Sequence, residues 1–75
     1  MGTRQPRVTA GNMIRVIEQL GFELARSSGS HRIYKNATGV RVTVPFHAGK
    51  ILHPKIVKTI LEDVGLSTDE FIEIL

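Results

Sequence analysis

The chain has 75 residues and carries ten Lys or Arg against seven Asp or Glu, a net charge of +3, which bounds it to one small basic domain with a modest core. It has no cysteine, which excludes disulfides and thiolate chemistry. No apolar run approaches the roughly 20 residues that span a bilayer, and the opening MGTRQPRVTAG lacks the apolar core of a signal peptide, so a soluble cytoplasmic protein is expected.

The charge is segregated. Arg26, Arg32, Lys35, Arg41, Lys50, Lys55 and Lys58 fall in one stretch without Asp or Glu, and all three histidines, His31, His47 and His53, lie inside it. Residues 59–75 hold five acids and no Lys or Arg. A positive surface from the middle of the chain is expected, and nucleic acid is the usual partner of such a surface.

In chain order, residues 1–8, with Arg4, Pro6 and Arg7, read as a flexible N-terminal arm, and 9–75 as one domain. Thr9 is a fair N-cap for a helix in which Met13, Ile14, Ile17 and Leu20 recur at helical spacing, and Gly21 suits its left-handed stop. The period then changes to two. FELARS sets Phe22, Leu24 and Arg26 on one face against Glu23, Ala25 and Ser27. SGS at 28–30 is turn chemistry, HRIYKN a second strand, and NATG at 36–39 a second turn. VRVTVP gives a third strand with Val40, Val42 and Val44 on one face, stopped by Pro45.

FHAGKILH is the longest connection. Pro54 suits the first position of a helix whose stripe is Ile56, Val57, Ile60, Leu61 and Val64, with Gly65 as its stop. Ser67 and Glu70 have capping-box spacing for a last short helix, from which Phe71, Ile74 and Leu75 can pack back. The reading is an α+β fold of order α-β-β-β-α. A three-stranded antiparallel sheet has two helices on one face, plus a short C-terminal helix, and its other face open to solvent.

The chemistry starts from absences. There is no glycine-rich phosphate loop. Carboxylates are missing from the central region, which argues against paired-carboxylate catalysis and hard-metal sites. The three histidines lack the spacing of a known zinc motif, and the cations around them would repel a metal. No metal and no small-molecule cofactor is expected. His31 stands apart, entering a strand behind two small residues, Gly29 and Ser30. A histidine can take and give a proton near neutral pH. The set His31, Lys35, Arg41, His47 and Lys50 suits metal-free RNA cleavage, in which a base activates the ribose 2′-OH and cations stabilise the charged transition state.

Strand parity leaves two registers. With Ile33 in the core, His31 and Lys35 share its face and Tyr34 becomes an outward base-stacking platform. With Tyr34 in the core, His31 and Lys35 face solvent. We take the second, which keeps His31 accessible. Lys50 could touch a phosphate, and Gly49 could let backbone amides approach one. His53 reads as structural or a weak cap. Two other readings compete with cleavage: a non-catalytic RNA-binding module, and an interaction domain for an acidic protein surface.

The segments GF-x-x-x-x-x-x-GSHRIYK, VTVPFHAGKIL and KIVKTILEDVGLS, in this order and spacing, resemble the HicA-type toxins of bacterial toxin–antitoxin pairs. The resemblance runs from about Val8 to Leu75, with FIEIL beyond the minimal core. It implies a double-stranded-RNA-binding-like fold and an endoribonuclease that cleaves mRNA. It also implies a HicB-type antitoxin partner that holds the toxin inactive. On this resemblance the catalytic histidine is His31. Gly29, Ser30, Lys35, Arg41, His47 and Lys50 are expected to contact RNA.

Overall fold

A computed structural model describes residues 7–75. The expected arm falls mostly on residues 1–6, outside the described residues. Val8, at the arm's end, is fully buried, and its carbonyl accepts a hydrogen bond from the Leu52 N–H at 2.7 Å.

The elements are α1 (Ala10–Gln19), β1 (Glu23–Ser28), β2 (His31–Lys35), β3 (Arg41–Pro45), α2 (Pro54–Val64) and α3 (Thr68–Ile74). Each helix begins where a short polar side chain meets the free N–H groups of the first turn. The Thr9 hydroxyl accepts from the Asn12 N–H at 3.1 Å, and the Asn12 side chain accepts from the Thr9 N–H. His53 caps α2, its Nδ1 accepting from the Lys55 N–H at 3.1 Å, with Pro54 opening the helix. Ser67 and Glu70 form a reciprocal box on α3. The backbone N–H and then the hydroxyl of Ser67 hold the exposed Glu70 carboxyl below its ordinary value. That contribution is present at neutral pH and is lost as pH falls through the folded-state value. Gly65, at φ 78°, ends α2 in the left-handed region.

The strands form one antiparallel sheet in the order β1-β2-β3. Helices α1 and α2 pack on β3, and α3 packs on α2. The core is Val8, Met13, Val16 and Ile17 from the first helical segment, Tyr34, Val42 and Val44 from the sheet, and Val57, Ile60, Leu61 and Phe71 from the later helices. Tyr34 is buried while His31 and Lys35 are exposed, so the register with Tyr34 inside is the one adopted.

Three expectations are corrected. The alternation of FELARS breaks at Ala25, because the β1–β2 register shifts between Leu24 and Arg26. That bulge sends Arg26 to the face opposite Leu24. Leu24 remains 52% exposed because the helices lie over β3 and leave β1 uncovered, and every residue of β1 is exposed. Val40 does not join Val42 and Val44. The Asn36 side-chain oxygen accepts from the N–H groups of Thr38 and Val40, at 3.1 and 2.8 Å, and draws Val40 into the turn. Leu75, expected to pack back on α2, is 51% exposed.

Candidate nucleic-acid interface

The pairing register assigns the open face of the sheet. With Tyr34, Val42 and Val44 turned to the helices, the open face carries Ser28, His31 and Pro45 in one row. The next row is Arg26, Ile33 and Thr43, and the third is Glu23, Lys35 and Arg41. His31, Arg26, Lys35 and Arg41 are all exposed. This face therefore holds three permanent cations and a histidine against the single acid Glu23. No cavity forms among the described residues, so the site is a surface that suits an extended polymer rather than a small ligand.

The β1–β2 turn presents His31. Ser28 pairs with His31 across a two-residue loop, and Gly29 at the first loop position has φ 58° while Ser30 stays at negative φ. This is the sign pattern of a type II′ hairpin, which places glycine there. A side chain at Gly29 would meet no atom within 4 Å, so the requirement is conformational rather than steric. Gly29→Ala is expected to lower stability by about 1–2 kcal/mol, the cost of a left-handed non-glycine residue. That is a fall of roughly 4–16 °C in the melting temperature of a domain this size. An unchanged melting temperature in circular dichroism would contradict the turn assignment.

The loop after β3 is fastened to the same end of the sheet. The Phe46 N–H donates to the Ser30 carbonyl, continuing the β2–β3 ladder one pair past the named strands. The guanidinium of Arg32 lies 3.8 Å from the centre of the Phe46 ring. Arg32 occupies the helix side of β2, between Ser27 and Val44, and the cation–π stack gives its half-buried charge a partner there. Beyond Phe46, the Lys50 N–H donates to the His47 carbonyl at 3.0 Å across a turn with Gly49 at φ 76°. Positive φ at the third position marks a type II turn.

The expected site residues thus divide into two groups. Gly29, Ser30, His31, His47 and Lys50 gather at one end of the sheet. Lys35 and Arg41 pair at the other end, four residues along β2 from His31, or roughly 14 Å at strand rise. These two cannot act on the phosphate at His31 and instead serve a neighbouring stretch of polymer. Arg26 was missed as a site residue. Its place in the basic stretch was visible, but the alternation set it with Phe22 and Leu24, and only the bulge brings it to the row next to His31. His53 is engaged as a cap, and no three metal-ligating side chains cluster among the described residues.

Among the described residues no helix is long and apolar enough to cross a membrane. A search of curated proteins found no match for the chain. A family model does match. It covers residues 11–66 and is described as "HicA toxin of bacterial toxin-antitoxin". The matched segment holds the whole sheet, the His47 loop and α2, and stops before α3.

Proposed function

Because the chain belongs to the HicA toxin family of bacterial toxin–antitoxin pairs, we propose that it is a metal-independent endoribonuclease that cleaves mRNA in the cytoplasm. A HicB-type antitoxin would neutralise it by covering the open face of the sheet. The observation that carries the reading is the exposed His31 at one end of a sheet face that also bears Arg26, Lys35 and Arg41.

The chemistry follows from that arrangement. His31 removes the proton from a ribose 2′-OH, and the oxygen attacks the adjacent phosphorus. Negative charge grows on the phosphoryl oxygens, and the turn backbone at Gly29 and Ser30 and the Arg26 side chain, one row along the open face, stabilise it. Lys35 and Arg41 hold the flanking strand through its phosphates, which fixes position without reading sequence. The attacking group belongs to the substrate, and basic groups supply the countercharge, so the scheme asks for no metal.

The test is incubation of the purified chain with labelled single-stranded RNA in excess chelator. Cleavage that leaves 2′,3′-cyclic phosphate ends is the expected result. The rival, a non-catalytic RNA-binding module, predicts salt-sensitive binding with an intact backbone. Binding without cleavage at any protein concentration would favour that rival.

A further inference from the structure

The loop after β3 carries a second histidine to the end of the sheet where His31 stands. We infer that His47 is the general acid of the cleavage step, the group that protonates the leaving oxygen, and so a second catalytic residue beside His31. This rests on the ribonuclease reading above and supplies the proton donor that reading lacks.

Backbone hydrogen bonds relate the positions of the two histidines. Two hydrogen bonds set the phase of the β2–β3 ladder: Phe46 N–H to Ser30 carbonyl, and Asn36 N–H to Val40 carbonyl. They make the even-numbered residues of β2 the hydrogen-bonded pairs, so His31 and Pro45 form a non-hydrogen-bonded pair, with Cα atoms about 4.5 Å apart. His47 lies two residues beyond Pro45, and the ladder continues through Phe46. One further strand period of about 7 Å puts the Cα atoms of His31 and His47 roughly 8 Å apart. Two imidazoles on such a base can reach opposite sides of one phosphate. Carried on through the Phe46–Ser30 bond, the parity that places Pro45 on the open face assigns His47 to the same face, and His47 is exposed.

The loop is also held. Phe46 is fixed by its N–H to Ser30 and by the Arg32 guanidinium over its ring. The His47–Lys50 turn is closed by a hydrogen bond and by glycine at the position of positive φ. A proton donor needs fixed placement of this kind, whereas a phosphate contact tolerates a loose lysine. Carboxylates are absent from residues 26–58, so no acidic side chain in that stretch competes for the role.

The step balances without a further reactant. His31 accepts the 2′-OH proton as the bond from that oxygen to phosphorus forms. The bond from phosphorus to the 5′ oxygen breaks, and protonated His47 gives its proton to that oxygen. The products are a 2′,3′-cyclic phosphate and a 5′-hydroxyl, and the two histidines end in exchanged protonation states that water restores.

The test uses the full chain and two single-stranded RNAs of the same sequence, which differ only in the leaving atom at their linkages. In one RNA the leaving atom is the natural 5′ oxygen. In the other it is sulfur, which departs as a thiolate without protonation. His47→Ala is expected to slow cleavage of the oxygen RNA by about 10²–10⁴-fold, the usual worth of a general acid. On the sulfur RNA it should stay within about tenfold of wild type, while His31→Ala is slow on both. Equal loss on both RNAs would make His47 a binding residue and overturn the assignment, as would full activity on the oxygen RNA. A wild-type protein that cuts neither RNA would overturn the ribonuclease reading itself, and this assignment with it. Because His47 is exposed on a loop, the variant is expected to fold, and its circular dichroism spectrum checks this.

Discussion

His31→Ala is expected to leave the fold unchanged and to slow RNA cleavage by about 10²–10⁴-fold, the range for loss of a positioned acid or base. That loss corresponds to roughly 3–5 kcal/mol of transition-state stabilisation. The fold should survive because His31 is exposed on the open face of the sheet. Substitutions at such positions cost within about 0.5 kcal/mol. The rate should be read in single turnover with protein saturating the RNA, so that a lost contact does not pass for lost chemistry. A variant with the wild-type rate would remove His31 from the mechanism.

The largest effect on stability is expected at a residue outside the family match. Phe71 is fully buried in α3, beyond the matched segment that ends at residue 66. Truncating a buried phenylalanine to alanine costs about 3–5 kcal/mol through lost transfer energy and the cavity left behind. A domain of this size holds roughly 4–11 kcal/mol in total. Phe71→Ala should therefore remove a large share of the stability and leave the chain partly or wholly unfolded near physiological temperature. Ile72→Ala, next in sequence but 45% exposed, is the control and should change little. Urea titrations of both variants would decide it. Equal midpoints for Phe71→Ala and wild type would mean that α3 adds nothing to the core.

Much of the frame was legible because its signals are local. Thr9, Pro54, Gly65 and the Ser67–Glu70 pair act within one turn of the backbone they cap, so their spacing alone locates the helix ends. The face of His31 could be reasoned through Tyr34, whose ring had either to bury or to stack. The unread parts depend on partners distant in sequence. A bulge arises from how β1 pairs with β2, so FELARS looks like plain alternation and Arg26 falls on the wrong face. Leu24 shares a face with the buried Phe22 in that alternation, yet nothing in its own neighbours says that the helices lie over β3 and leave it exposed. Val40 continues the period of Val42 and Val44, but the Asn36 side chain competes for its N–H. The stack of Arg32 on Phe46, which helps hold the His47 loop, joins residues fourteen apart and has no pattern in the chain.

The central claim is that RNA lies across the open face of the sheet, with His31 at one end of its path. The most direct test is the salt dependence of RNA affinity, measured in the His31→Ala background so that the RNA stays intact. Each phosphate contact contributes about 0.7 to the slope of log affinity against log salt for single strands. Replacing Arg26, Lys35 and Arg41 by glutamine should lower the slope by about 2. Replacing the exposed Lys55 and Lys58 of α2 should leave it unchanged. A slope that survives the sheet substitutions and falls with the helix substitutions would place RNA on the other side of the molecule and contradict the account.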